Sequence, residues 1–217
     1  MKVIITGATG MVGEGVLLEC LQNNKVSEVL SISRKPSGIK NPKLKELLVV
    51  DFLGIGNYSE NLKGYDACFY CVGKTSAGMT EAEYTKLTYD TTIHFANMLK
   101  QVNPNIVFNF VSGRSTDNTE KGKVMWARVK GKTENELTQL FSKKAFHFRP
   151  ALMKPTKGQQ HLYSYNRIAH KILFPVLSIL FPSSTIQDIG KAMINTATKG
   201  FSKNILEVKD INEAAKQ

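Results

Sequence analysis

Short apolar runs alternate with stretches of helical spacing from the first residues of the chain. Residues 3–6 read as a buried strand, and residues 11–22 carry apolar side chains every three or four positions, as a packed helix does. The same patterns predict strands at 28–33, 47–51, 67–72, 105–111 and 145–148, and helices at about 80–101 and 124–142. This alternation predicts an α/β fold: a doubly wound, Rossmann-type parallel sheet with helices on both faces.

The pattern loosens after residue 150. We expect a helix over about 185–199, opened by Ser184, and a last strand at 204–208. No repeat, low-complexity tract or linker interrupts the chain, and its 217 residues suit one sizeable core. We therefore predict a single domain over 1–217, in which residues 150–217 contribute the segments on the substrate side.

One apolar segment, ILFPVLSILF at 172–181, could suggest contact with a membrane. It contains Pro175 and has half of the ~20 apolar residues that cross a bilayer. It is compatible with peripheral contact at a membrane surface or with closure over a ligand.

A glycine-rich loop, TGATGMVG, follows the first predicted strand and opens the first helix. Its glycines, Gly7, Gly10 and Gly13, are three residues apart. Such glycines allow a tight turn, close approach of the backbone to a pyrophosphate, and close packing of the helix on the sheet. The helix then offers free N–H groups to the phosphates. We predict a dinucleotide site that comprises Gly7, Thr9, Gly10, Met11, Val12 and Gly13.

The second strand ends in Ser33, Arg34 and Lys35, where an NAD-binding protein usually has a carboxylate for the ribose. Two cations and no carboxylate favour a 2′-phosphate, so we predict NADP over NAD. A solvated Arg-Lys pair is the alternative interpretation. By their places after the third and fourth strands, Asp51 and Phe52 are expected at the adenine, and Val72, Gly73 and Lys74 along the middle of the cofactor.

The formal net charge is +11, and residues 121–217 account for all of the excess, with 17 Lys and Arg against 6 Asp and Glu. A basic face can attract phosphate ligands, nucleic acid or anionic membrane, or can simply be solvated. Nucleic-acid binding would rest on charge alone, and we do not expect it.

Three cysteines and no signal-peptide pattern favour a cytoplasmic protein. Cys68 and Cys71 form a C-x-x-C pair within a predicted strand, where positions three apart point to opposite faces. The four histidines show no ligand spacing. We therefore expect no metal site.

Taken together, these motifs resemble the short-chain dehydrogenase/reductase superfamily, in particular its extended and atypical members of the NAD-dependent epimerase/dehydratase type. The glycine motif is the most specific match, and RPALM at 149–153 resembles the segment beside the nicotinamide. That resemblance implies cofactor contacts from Pro150, Leu152 and Met153. The order of SRKP, CVGKT, VKGKTENEL and ILEVKDI is closest to the Tat-interacting-protein branch.

The superfamily's catalytic set is a Ser followed by a Tyr and a Lys four residues apart. The resemblance assigns Ser112 as the serine and Lys130 as the lysine, which would also contact the nicotinamide ribose; the tyrosine position holds Trp126. An indole N–H cannot serve as a general acid as a phenol can. Helical spacing also places Trp126, Lys130 and Thr133 on one face, where the ring and the ammonium could stack. Tyr163 and Tyr165 are candidates for a replacement proton donor.

Two functions remain open from the sequence. One is an NADP-dependent reductase or epimerase-like oxidoreductase that acts on a small carbonyl substrate. The other is a non-catalytic NADP-binding protein that senses redox state. The substrate and the oligomeric state do not follow from the sequence.

Overall fold

The computed structural model describes residues 1–161 and 182–217. Seven parallel strands of the described chain form one sheet in the order β3-β2-β1-β4-β5-β6-β9. The bounds are β1 (Lys2–Thr6), β2 (Glu28–Ser33), β3 (Leu44–Leu48), β4 (Ala67–Tyr70), β5 (Val107–Val111), β6 (Ala145–Arg149) and β9 (Ile205–Glu207). Two short strands, β7 (Leu152–Lys154) and β8 (Ser183–Thr185), pair separately.

Helices cover both faces of the sheet, which confirms the predicted α/β architecture. The helices are α1 (Met11–Gln22), α2 (Glu81–Thr85), α3 (Thr91–Val102), α4 (Met125–Phe141), α5 (Ile186–Lys199) and α6 (Val208–Ala214). One apolar core joins the sheet to α1, α5 and α6. The other joins it to α3, α4 and a 3₁₀ helix at Phe52–Leu62. Burial on both sides explains the continuous apolar runs of the strands.

Several element boundaries differ from the prediction. The third strand lies at Leu44–Leu48 rather than 47–51, because its ladder begins opposite Val29 of β2. The long helix predicted at 80–101 contains a π-helical turn, Lys86–Asp90. Helix α5 is capped by Thr185, whose side chain accepts from the backbone N–H of Asp188, and not by Ser184.

The predicted last strand, 204–208, is shortened to β9, and the short helix α6, which the sequence did not indicate, follows it directly. The apolar segment 172–181 and the two tyrosines Tyr163 and Tyr165 lie outside the described residues. Within the described parts of the chain, no helix has the length and apolar character needed to cross a bilayer.

The strand order reverses between β1 and β4. β1 pairs with β2 on one side and with β4 on the other. In parallel α/β sheets, ligands bind in the crevice beyond the carboxyl ends of the strands at such a switch point. The loops after β1, β2, β4 and β5 therefore frame the candidate site.

Candidate active site

The glycine loop turns tightly between β1 and α1. Gly7 has a φ of +73°, and a Cβ on it would lie 2.7 Å from the carbonyl oxygen of Cys71. Its own carbonyl accepts from the N–H of Gly10 at 2.9 Å, which closes the turn that contains Thr9. Only glycine fits the Gly7 position, because the backbone is left-handed and the end of β4 packs directly against it.

The other two glycines of the motif have different tasks. A Cβ on Gly13 would lie 2.1 Å from the carbonyl oxygen of Gly7, so this glycine lets α1 pack against the loop. Gly10 is the exposed N-cap of α1, and the nearest atom to a Cβ there is the Gly7 carbonyl oxygen, at 3.4 Å. The side of Gly10 where a ligand would approach is open. Met11 and Val12 follow in the first turn, whose N–H groups begin the helix dipole.

The end of β2 presents cations to solvent. Arg34 and Lys35 are exposed, and neither forms an ion pair with a described carboxylate. The hydroxyl of Ser33 donates to the carbonyl of Lys35 at 2.6 Å and so fixes the turn. Glu46 is held nearby by the N–H of Ser37 at 2.7 Å.

Asp51 and Phe52 lie just beyond the end of β3. The Asp51 carboxylate accepts from the N–H of Leu53 at 3.0 Å and caps the 3₁₀ helix. The Phe52 ring is buried, with its centroid 5.5 Å from that of Phe95. The ring therefore belongs to the core, and the predicted adenine contact of Phe52 would have to come from its backbone.

The loop after β4 is adjacent to the glycine loop. A Cβ on Gly7 would lie 2.9 Å from the backbone nitrogen of Val72. Gly73 and Lys74 follow in exposed positions. The predicted role of Val72, Gly73 and Lys74 along the middle of the cofactor stays a prediction.

Lys130 reaches the carboxyl end of β5, where Ser112 directly follows the strand. The Lys130 ammonium donates to the carbonyl of Val111 at 3.2 Å, one residue before Ser112. The Ser112 N–H donates to the carbonyl of Phe148 at 2.8 Å, which ties the ends of β5 and β6 together. The structure thus brings together the two residues that the sequence assigns to catalysis.

Lys130 does not stack on Trp126, as helical spacing suggested, but on another aromatic ring. The Lys130 Nζ lies over the ring of Phe110, 5.5 Å from its centroid. The half-buried Trp126 ring instead lies against Gly113, 3.5 Å from where a Cβ would stand. Trp126 therefore borders the Ser112 loop, where the superfamily's tyrosine would be expected.

The environment of Lys130 is set by burial and by one carboxylate. Burial lowers the pKa of Lys130 to about 8, and the charge of Glu134, one helical turn later, partly opposes that shift. A lysine with this pKa exchanges a proton near neutral pH far more readily than an exposed one does.

A buried polar network, which the sequence did not reveal, lies between α4 and β6. Glu134 is 1% exposed and accepts from Arg149 Nε at 3.0 Å and from Asn118 Nδ2 at 2.9 Å. Burial opposes ionisation of Glu134, but the hydrogen bonds and the charge of Arg149 hold its pKa below its ordinary value. The Ser112 Oγ also lies 3.0 Å from Thr116 Oγ1. The serine hydroxyl thus contacts Thr116, two residues before the Asn118 that bonds to Glu134.

The residues of the RPALM segment make two different kinds of contact. Its arginine faces the buried network, whereas the carbonyl of the buried Pro150 accepts from the N–H of Arg114 at 3.2 Å. Leu152 and Met153 follow in β7, both partly buried. Their predicted position beside the nicotinamide stays a prediction.

A second unpredicted contact holds the segment that precedes residue 162. The buried Glu14 of α1 accepts from the N–H groups of Gln160 and His161, at 2.8 and 2.7 Å. Gln159 Nε2 donates to the carbonyl of Met11 at 2.5 Å. The first turn of α1 is therefore bonded to residues 159–161, which lie 146 to 148 positions later in the sequence, and sequence patterns do not indicate such a contact.

The two cysteines of the C-x-x-C pair lie on opposite sides of the sheet, as predicted. Cys68 belongs to the core beneath α3 and α4, and Cys71 packs against the core beneath α1. Burial raises the pKa of both thiols. Across residues 1–161 and 182–217, no cluster of three or more His, Cys, Asp or Glu side chains is arranged to hold a metal ion.

The parallel sheet and the glycine loop at its switch point define a Rossmann-type α/β protein of the nucleotide-cofactor class. The sequence model of the NAD dependent epimerase/dehydratase family matches residues 3–135. The chain belongs to this oxidoreductase family.

Curated relatives are similar over most of the chain. The rat protein HTATIP2 is 27% identical over 154 residues, which cover 70% of this chain and 62% of the rat protein. The chain thus spans less than two thirds of that relative. The mitochondrial protein FMP52 of Meyerozyma guilliermondii is 22% identical over 227 residues, with 100% of this chain and 96% of that protein covered.

Solved structures share the fold at low identity. The Bordetella bronchiseptica enzyme WbmF in complex with NAD⁺ matches with a TM-score of 0.69 at 12% identity, over 99% of this chain and 76% of that one. The UDP-glucuronic acid 4-epimerase of Bacillus cereus in complex with NAD matches with a TM-score of 0.67 at 14% identity, over 95% and 78%.

Proposed function

We propose that this protein binds NADP and acts as a reductase or epimerase-like oxidoreductase on a small carbonyl substrate. The observation that carries the proposal is the hydrogen bond from Lys130 to the carbonyl of Val111, the residue before Ser112, at the same end of the parallel strands as the glycine loop. Hydride transfer depends chiefly on holding the cofactor and the carbonyl in the correct geometry. A cytoplasmic location remains a prediction from cysteine usage.

Each site residue has a task in this proposal. Backbone N–H groups at the start of α1 hold the pyrophosphate, and Gly10 leaves room for it. Arg34 and Lys35 pair with the 2′-phosphate, which supports NADP over NAD. Lys130 donates to the nicotinamide ribose, and Ser112 orients the carbonyl group. The cofactor, when bound, supplies the hydride.

The proton that completes a reduction needs a donor other than Trp126. The Lys130 ammonium is one candidate, because its pKa of about 8 allows it to release a proton near neutral pH. Loss of a positioned general acid usually lowers the rate by roughly 10²- to 10⁴-fold. We therefore expect turnover that is slow by the standard of the superfamily.

The presence of Trp126 also supports the second candidate function, a non-catalytic NADP-binding protein that reports redox state. This protein would bind NADPH and NADP⁺ with different affinities and present that difference to a partner. Neither its partner nor a moving element is defined by the described residues.

The oxidation of NADPH across a panel of aldehydes and ketones separates the two functions. The enzyme hypothesis predicts turnover that is lost in Lys130→Met, while Lys121→Ala, on the exposed loop after β5, serves as the matched control. Tight NADPH binding without oxidation of the cofactor by any carbonyl would contradict the enzyme hypothesis and favour the sensor.

A further inference from the structure

Cations outnumber carboxylates in the loops at the carboxyl ends of β4, β5 and β6. The described segments 71–80, 112–124 and 150–161 contain six Lys or Arg residues and two Asp or Glu residues. The cations are Lys74, Arg114, Lys121, Lys123, Lys154 and Lys157. These loops therefore carry an excess of positive charge.

The two carboxylates of these loops are engaged locally and do not pair with the cations. Asp117 accepts from the backbone N–H groups of Thr119 and Gly122, at 3.0 and 2.7 Å. Glu120 accepts from Asn135 Nδ2 at 2.7 Å. The excess of positive charge at the loops is not neutralised from within them.

The phosphates of a dinucleotide account for only part of this charge. The pyrophosphate would lie at the glycine loop after β1, and a 2′-phosphate at Arg34 after β2. The loop after β4 borders the glycine loop, so Lys74 is available to the cofactor. The loops after β5 and β6 lie farther from the glycine loop, on the β4 side of the switch point. The cations there are available to a substrate.

Arg114 stands out among these cations by its position. It follows Ser112 by two residues, and its backbone N–H donates to the carbonyl of Pro150. This bond fixes its backbone between the loop after β5 and the loop after β6. The residue is exposed, and its guanidinium has no bonding partner among the described residues. By contrast, Arg128 is paired with Glu81, and Arg149 with Glu134.

We propose that Arg114 binds an anionic group of the substrate, a carboxylate or a phosphate, so that the substrate is a small anionic carbonyl compound. A guanidinium matches the two oxygens of either group with two parallel hydrogen bonds. This inference rests on the proposed function, in which the substrate carbonyl reacts at the carboxyl end of β5.

Paired probes that differ in one charge test this inference. Succinic semialdehyde is compared with its methyl ester, and glyceraldehyde phosphate with glyceraldehyde, by NADPH oxidation. We expect the wild type to prefer the anion in at least one pair, which also identifies the group. In Arg114→Ala, that preference should fall on the order of 10- to 100-fold, mainly through KM. Arg114→Lys should retain part of it, and Lys63→Ala, an exposed position just before the amino end of β4, should retain all of it.

Equal use of both members in both pairs by the wild type would overturn the inference, as would a preference that survives in Arg114→Ala. Titration of the same probes into the NADP⁺-loaded protein measures binding without turnover. Anion binding that depends on Arg114, with no oxidation of NADPH by any probe, would contradict the reductase function and support the anion site. Binding that does not distinguish an anion from its neutral partner would contradict the anion site alone.

Discussion

The guanidinium of Arg149 and the carboxylate of Glu134 form a buried ion pair, with 3.0 Å between Nε and Oε1. The pair joins β6 to α4, and Asn118 bonds to both side chains. It therefore fixes the helix that carries Lys130 relative to the strand ends.

Removing one member of this pair should destabilise the protein strongly. We expect Arg149→Met alone to cost roughly 3–5 kcal/mol in the free energy of unfolding, because it leaves the Glu134 carboxylate as an uncompensated buried charge. Glu134→Leu should cost less, because Arg149 keeps its second partner, Glu207, at 3.2 Å. The double variant should cost much less than the sum. Urea unfolding followed by circular dichroism measures all three, and single-variant costs that add within about 0.5 kcal/mol would contradict the coupling.

Cofactor preference should depend on Arg34. We expect Arg34→Glu to weaken NADPH binding far more than NADH binding, because the new carboxylate repels the 2′-phosphate and can accept from a 2′-hydroxyl. Calorimetric titration with both cofactors checks this, with Arg34→Gln as the variant that removes the charge without reversing it. An equal loss for both cofactors would show that Arg34 does not set the preference.

Restoring the superfamily's tyrosine should raise activity. Trp126→Tyr places a phenol one helical turn before Lys130, where the ammonium would lower the phenol pKa toward the range of an effective general acid. Turnover of a simple carbonyl should rise at least about tenfold. Trp126→Phe, which has the ring without the hydroxyl, is the matched control. A similar rise in both variants would mean that ring size, not proton transfer, limits the reaction.

Burial lowers the pKa of Lys130 to about 8, so its ammonium loses a proton, and with it the positive charge, as the pH rises through that value. The affinity for NADPH should therefore fall over the same pH range. Without cofactor, Lys130 loses its proton at a lower pH in the folded state than in the unfolded state. The free energy of unfolding should therefore increase as the pH rises above about 8. Titrations across this pH range should show the inflection in the wild type. If Lys130→Met shows the same inflection, another group causes it.

The sequence was sufficient to predict the sheet and the glycine loop, because both depend on local patterns. Apolar runs mark strands that are buried on two faces, and Gly7, Gly10 and Gly13 have their steric tasks within one short segment. The position of β3 was predicted poorly for the opposite reason. It is an edge strand, its side chains are only partly buried, and its ladder with β2 rather than its apolar residues sets its bounds.

The supports of the site could not be predicted, because they join residues that are distant in the sequence. Arg149 and Glu134 meet only because α4 packs on β6, and Glu14 meets Gln160 across 146 residues of chain. The partner of Lys130 was missed for a similar reason. Helical spacing relates Lys130 to Trp126, whereas the packing of α4 on the sheet places it over Phe110.

The central claim is that the glycine loop binds NADPH, and calorimetric titration of the wild type and Gly10→Val tests it most directly. Gly10 has an ordinary negative φ and only the Gly7 carbonyl oxygen near its Cβ position, at 3.4 Å, so the variant should fold. Its side chain would occupy the space of the pyrophosphate. The account predicts saturable NADPH binding by the wild type and its loss in a folded Gly10→Val. Unchanged NADPH affinity in that variant would contradict it.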